Sequence, residues 1–85
     1  MAFPLRRVRT YSNGDGLCAL ERGVLATLRE LQLGAIRSRQ TTYTFSLRLI
    51  AARAGERESA TLAALRRLGA LGHVASQDEQ VWGLT

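Results

Sequence analysis

The 85-residue sequence contains no lysine, one cysteine, one histidine and one proline. A single cysteine, Cys18, cannot form an internal disulfide, and with only His73 as histidine no His/Cys cluster has metal-ligand spacing. No apolar run reaches the roughly 18 residues of a membrane span, and no apolar core of a secretory signal follows the basic N-terminal residues. We therefore expect a cytoplasmic protein with no structural metal, no cofactor and no membrane partner.

The sequence is also poor in groups that perform catalysis. His73 is the only conventional general base near neutral pH. The glycines are scattered and do not form a phosphate-binding fingerprint. Among the carboxylates, Glu56 and Glu58 flank an arginine, and Asp78 and Glu79 are adjacent in a turn-like segment. We therefore expect that the protein is not an enzyme, and no small-molecule substrate is evident.

Arginine supplies all twelve basic residues, against seven acidic ones, for a formal net charge of +5. Such an excess favours a polyanionic partner, because binding releases counterions from phosphates. A GC-rich genome, in which arginine replaces lysine on solvated surfaces, would give the same composition, so the positions matter. The arginines considered for binding form three groups along the chain: Arg6, Arg7 and Arg9; Arg37, Arg39 and Arg48; and Arg57, Arg66 and Arg67.

Hydrophobic periodicity predicts a first helix after the turn-like segment YSNGDG at 11–16. Apolar residues recur there at intervals of three and four: Leu17, Leu20, Val24, Leu28 and Leu31. The pattern predicts a helix that runs to about Leu33 and stops at Gly34. Cys18 occupies the cap position, with Glu21 three residues later as in a capping box.

The remaining sequence predicts a strand, two helices and a hairpin. Residues 40–45 are rich in β-branched and aromatic types, which favours a short strand. Ser46 is expected to cap a helix from Leu47 to about Ala54, closed by Gly55. The next helix has one apolar face, formed by Thr61, Ala64, Leu65 and Leu68. Residues 73–76 and 80–85 then predict two strands, which gives an α+β domain.

From Phe45 to Val74, the segment FSLRLIAARAGERESATLAALRRLGALGHV resembles the winged helix-turn-helix family of DNA-binding regulators. Ile50, Ala51 and Gly55 match the first helix of the motif and its turn. The second helix and the strand after it are matched by Leu65, Leu68, Leu71, Gly72 and Val74. LCALERGVLATL is similar to the family's first helix, and VWGLT to its last wing strand, where Trp82 is expected to pack against the helices rather than stack on bases.

The resemblance implies a small winged helix-turn-helix domain at residues 17–85, with a three-helix core, a short β-strand and a C-terminal β-hairpin wing. A basic N-terminal arm, residues 1–16, would precede it. In such a domain the recognition helix, here about 58–71, docks in the major groove of double-stranded DNA, and the wing contacts the backbone or minor groove. The protein is therefore expected to be a small transcriptional regulator, and a homodimer would supply specificity that one subunit lacks.

The predicted DNA-binding residues follow from the same resemblance. Arg66 and Arg67 would contact phosphates or a guanine edge, unless they only complement the dipole at a solvated helix C-terminus. Ser59 would contact a phosphate, and Ala60 or Ala63 at most a thymine methyl. Arg57 lies in the turn before the helix. The basic charge, and not the resemblance, adds the remaining arginines to the set: Arg6, Arg7, Arg37, Arg39 and Arg48. Arginine–phosphate contacts would therefore dominate binding.

Two departures from the family pattern support an alternative. Asp78 and Glu79 put negative charge at the wing tip, and three leucines occupy positions where the family has polar residues: Leu47, Leu49 and Leu62. Burial of each leucine against a partner would contribute about 1.5–3 kcal/mol. The alternative is a winged-helix protein-interaction module of the dimerisation, antiactivator or adaptor type, which requires contiguous leucines. DNA binding instead requires the arginines on one face.

Overall fold

The computed structural model describes residues 16–85, which form three helices and a three-stranded antiparallel sheet. The elements are α1 (Ala19–Arg37), β1 (Thr44–Ser46), α2 (Leu47–Ala54), α3 (Glu58–Ala70), β2 (Val74–Ala75) and β3 (Val81–Leu84). This is the predicted order, and the α+β class is confirmed. Apart from Gly16, the predicted basic arm, with Arg6, Arg7 and Arg9, lies outside the described residues.

Helix α1 is longer than the sequence predicted. Gly34 was expected to stop the helix, but it lies inside it, and the helix continues to Arg37. Ala35 is only 4% exposed, so the additional turn extends the buried face of the helix. The helix is instead closed after Ser38 by Arg39, which adopts a left-handed conformation with φ of 58°. The end of α1 is therefore associated with the packing of Ala35 and the left-handed conformation of Arg39, and not with Gly34.

The start of α1 and both ends of α2 lie where the sequence placed them. The Cys18 backbone N–H donates to the Glu21 carboxylate at 3.0 Å, which is the carboxylate half of the predicted capping box. The Ser46 hydroxyl accepts from the Leu49 backbone N–H at 3.1 Å and caps α2. Gly55 then closes α2 with a φ of 72°. This left-handed residue allows the short turn that leads into α3.

The sheet has the strand order β1-β3-β2, and both pairings are antiparallel. Phe45 of β1 lies opposite Trp82 of β3, and Val74 of β2 lies opposite Leu84. The predicted strand at 40–45 is observed only at Thr44–Ser46. All three residues of β1 pair with β3, in the register Thr44–Gly83 to Ser46–Val81, so residues 40–43 were wrongly assigned to the strand and Ser46 belongs to it.

The core lies where the three helices meet the sheet. Its members include Leu17, Val24, Leu25, Leu28, Ile50, Ala64, Leu65, Leu68, Val74 and Trp82. The predicted inward face of α3 is confirmed, because all four of its residues are buried. The predicted packing of Trp82 is also confirmed: its side chain is buried, and its indole N–H donates to the Glu79 carbonyl at 3.0 Å. Trp82 therefore ties the β2–β3 loop to the core.

Within the described part of the chain, no helix is both long enough and apolar enough to cross a membrane.

Candidate functional site at helix α3 and the β2–β3 loop

Helix α3 exposes a face of small and polar side chains to solvent. Ser59, Ala63, Arg66 and Arg67 are exposed, whereas Ala60 is half-buried. Arg57, which precedes the helix, is also exposed, and its carbonyl accepts the first-turn N–H of Thr61 at 2.9 Å. The opposite face of α3 is buried in the core. One face of the helix is therefore packed against the core, and the other is exposed to solvent.

Arg66 is bound by a carboxylate of the β2–β3 loop, residues 76–80. Its Nε donates to Oε2 of Glu79 and its Nη2 donates to Oε1, both at 2.9 Å. The hydrogen bonds to Arg66 hold the pKa of the Glu79 carboxyl below its usual value, and the same contact raises the pKa of Arg66. The charge predicted to contact DNA is thus already paired within the molecule.

The two acidic residues of this loop have different roles. The Asp78 carboxylate accepts backbone N–H groups two and three residues later, at 3.0 and 3.3 Å, so it closes the loop itself. Glu79 has a left-handed φ of 66°, and its backbone N–H donates to the Ser76 hydroxyl at 2.8 Å. With its carbonyl held by Trp82, the backbone of Glu79 is anchored on both sides. The Glu79 carboxylate therefore reaches Arg66 of α3 from a loop position whose backbone is anchored.

Arg66 and Arg67 serve different surfaces although they are adjacent in sequence. Whereas Arg66 contacts the β2–β3 loop, Arg67 donates from Nη2 to the Gly16 carbonyl at 3.1 Å. Gly16 precedes α1, so this contact joins α3 to the start of the described chain. The sequence treated the two arginines as equivalent, because helical periodicity alone does not identify the partner of each side chain.

The other predicted arginines within the described residues lie on several elements. Arg48, in the first turn of α2, approaches Glu58 with its Nε 3.9 Å from Oε2. Their side chains are 89% and 57% exposed, so solvent screens this pair strongly. Arg37 and Arg39 are exposed at the end of α1. The structure thus brings Arg48 close to α3 and leaves Arg37 and Arg39 at the end of another helix.

The three leucines of the alternative hypothesis do not share one groove. Leu47 and Leu62 are half-buried and line a groove with Glu58 and the β2–β3 loop. Both also pack against the core. Leu49 is 37% exposed and lines a different groove, between α1, β1 and α2. The first groove therefore combines two of the three leucines with acidic side chains and Arg48, and Leu49 is not part of it.

Sequence reasoning missed an exposed apolar surface at the C-terminal end of α1. Leu33 is 52% exposed and Ile36 is 48% exposed. The sequence did not indicate this surface, because the predicted helix stopped at Gly34 and did not include Ile36.

Comparison of the chain with family models, with curated proteins and with solved structures finds no match. Among residues 16–85, no group of three or more His, Cys, Asp and Glu side chains is placed to hold a metal ion. The functional inference therefore depends on the surface of α3 and the loop beside it.

Proposed function

We propose that residues 17–85 form a winged helix-turn-helix domain that binds double-stranded DNA, with α3 as the recognition helix and the β2–β3 hairpin as the wing. The main observation in support is the exposed face of α3, which combines small side chains with Arg66. The helix also follows directly after the short turn at Gly55. The strand β1, which pairs with the hairpin, fits the same architecture. Small residues at Ser59 and Ala63 allow the helix to approach a groove closely.

The charge of the domain supports the same proposal. Residues 16–85 contain nine arginines and six acidic residues, which leaves a net charge of +3 out of the +5 of the whole chain. The positive excess is therefore not confined to Arg6, Arg7 and Arg9. Exposed arginines contact phosphates without regard to sequence, so the proposed binding is strongly dependent on salt.

In the proposed complex, charge and shape contribute more to the binding affinity than contacts to base edges do. Arg57 lies at the N-terminus of α3, where the helix dipole also favours a phosphate. The exposed alanines of the helix have no hydrogen-bonding groups to offer. A transcriptional regulator built on this domain would gain specificity as a homodimer, because two half-sites double the contacts.

Fluorescence anisotropy of labelled random duplex DNA tests the proposal. We expect saturable binding that weakens steeply with salt, and the Arg57→Gln variant is expected to bind more weakly, with a salt slope lower by about one. Arg29→Gln is the matched control, because it removes the same charge from an exposed position on α1. Absence of binding at low salt, or equal losses in both variants, would count against docking through α3.

The groove between α3 and the hairpin favours a second candidate, a protein-interaction module. It is lined by Leu47 and Leu62 and by three acidic residues, Glu58, Asp78 and Glu79, against one basic residue, Arg48. Such a groove suits a basic segment that carries an apolar side chain. The Glu58→Gln variant separates the two candidates: it should strengthen DNA binding by removing a repulsive charge, but weaken binding of a basic amphipathic peptide.

A further inference from the structure

The bond pattern of Arg66 leaves one edge of its guanidinium available. Glu79 accepts from Nε and Nη2, which together form the side edge of the planar group. The remaining edge carries one N–H from Nη1 and one from Nη2. Among the described residues, no hydrogen bond to this edge is formed, and the Arg66 side chain is 57% exposed. Two parallel donors of this half-exposed side chain are therefore left for a ligand.

We propose that Glu79 is a positioning residue that directs the available edge of Arg66 to a guanine in the major groove. Guanine offers two acceptors there, O6 and N7, with the spacing that a guanidinium edge matches. The inference deepens the proposed DNA-binding function and rests on it. It assigns to Arg66 a specific role, recognition of one base, instead of neutralisation of the backbone.

Electrostatics favour a base over a phosphate as the ligand of this pair. Arg66 and Glu79 together carry no net charge, and the Glu79 carboxylate repels a phosphate placed beside it. A guanine edge has no net charge, so it accepts from the guanidinium without that repulsion. The acidic wing tip then contributes to DNA binding, since the Glu79 carboxylate holds Arg66 in one orientation.

The anchoring of Glu79 makes it suited to this role. Its backbone is held by Ser76 and Trp82, so its carboxylate reaches Arg66 from an anchored position in the loop. Arg66 lies on α3, whose inner face is buried. The pair therefore joins a packed helix to a loop with an anchored backbone, and the arginine is already oriented before DNA binds. A long side chain that is ordered in advance loses less conformational freedom on binding.

Site selection from a random duplex library, with the full chain, tests the proposal. The variants are Glu79→Gln, Arg66→Ala and the matched control Asp78→Asn. Both wing variants remove one negative charge, but Asp78 closes its own loop and does not contact Arg66. An asparagine retains the side-chain oxygen that accepts those bonds. Circular dichroism and thermal melting confirm that each variant is folded.

We expect the wild type and Asp78→Asn to select a guanine at one position of the site. In Arg66→Ala this preference, about tenfold for one bidentate contact, should disappear, and in Glu79→Gln it should be reduced but not abolished. The salt slope of Glu79→Gln should rise by about one, because the released arginine then contacts a phosphate.

Three results would overturn the inference. Tighter binding of Glu79→Gln with an unchanged guanine preference would show that Glu79 only competes with DNA. An equal loss of preference in Asp78→Asn would show a general effect of wing charge. A wild-type protein that binds DNA without any base preference would also exclude base recognition by Arg66. Absence of wild-type binding at low salt is a different outcome, because it removes the proposed function itself.

Discussion

The Arg66 guanidinium and the Glu79 carboxylate join α3 to the β2–β3 loop through two hydrogen bonds of 2.9 Å. The pair couples the exposed face of the helix to the hairpin beside it. Any partner that docks on this face therefore meets a neutral, oriented pair instead of a free positive charge. The charge available for general attraction must come from the other arginines of the domain.

The first prediction concerns the titration of Glu79. Its pKa lies below the ordinary glutamate value because Arg66 hydrogen-bonds its charged form. The pair therefore stabilises the fold at neutral pH, above the pKa of the unfolded chain, and this contribution is lost as pH falls through the lowered pKa of the folded state. Carboxyl NMR over a pH series should show the low pKa, and in Arg66→Gln it should rise towards the ordinary value. An unchanged pKa in that variant would contradict the pairing.

The second prediction concerns two buried threonines. The Thr61 side chain is fully buried, and its hydroxyl has no hydrogen-bond partner among the described residues. Thr61→Val should therefore raise the free energy of unfolding by about 1 kcal/mol, since an unsatisfied buried hydroxyl is destabilising. In a domain of this size that corresponds to a rise of roughly 4–8 °C in Tm. Urea denaturation or calorimetry measures the change.

Thr27→Val is the matched control for Thr61→Val. The Thr27 hydroxyl donates to the Gly23 carbonyl at 2.9 Å, so its loss should lower the free energy of unfolding by about 1 kcal/mol. Opposite signs for the two variants are the expected result. A loss of stability in both would mean that the Thr61 hydroxyl is satisfied.

The third prediction concerns the close approach of β1 and β3. A Cβ atom added at Gly83 would lie 2.8 Å from the Tyr43 carbonyl oxygen. Gly83→Ala should push the two strands apart and lower the free energy of unfolding by roughly 1–3 kcal/mol. At Gly69, in α3, the nearest atoms to an added Cβ lie at 3.7 Å, so Gly69→Ala should instead be tolerated or slightly stabilising. Comparable losses from both substitutions, in chemical denaturation, would exclude the strand contact as the cause.

The fourth prediction concerns the length of α1. Gly34 lies within the helix, and an added Cβ there would meet no atom within 4 Å. Gly34→Ala should therefore raise the free energy of unfolding by roughly 0.5–1 kcal/mol and increase the helical circular dichroism signal slightly. Gly55→Ala is the contrasting variant, because its φ of 72° disfavours a side chain and should make the substitution destabilising. A destabilising Gly34→Ala would instead favour the helix stop that the sequence predicted.

Much of the fold could be predicted because it depends on residues close together in the chain. Ser46 caps α2 through the backbone N–H of Leu49, three residues later, and Gly55 closes that helix by its own conformational freedom. The apolar spacing of Thr61, Ala64, Leu65 and Leu68 identifies the buried face of α3 because helical geometry repeats every 3.6 residues. These features involve at most a few turns of chain, so sequence spacing determines them.

The candidate site could be predicted only in part. The sequence identified the exposed residues of α3 and the acidic tip of the hairpin, but it treated Arg66 and Arg67 as alike and Asp78 and Glu79 as alike. The structure distinguishes them by partners: Arg66 pairs with Glu79, Arg67 reaches the Gly16 carbonyl, and Asp78 closes its own loop. Adjacent residues on a helix or loop point in different directions, so the partner of each depends on the neighbouring element.

By itself, the sequence determined which segments become helices and strands, where α2 is capped and which helix faces are buried. Only the tertiary structure decided that α1 continues past Gly34, that β1 is limited to Thr44–Ser46, and that Leu49 lies apart from Leu47 and Leu62. The physical reason is the range of the interactions. Caps and helical periodicity act between residues a few positions apart, whereas packing, strand pairing and ion pairs join residues that only the folded chain brings into contact.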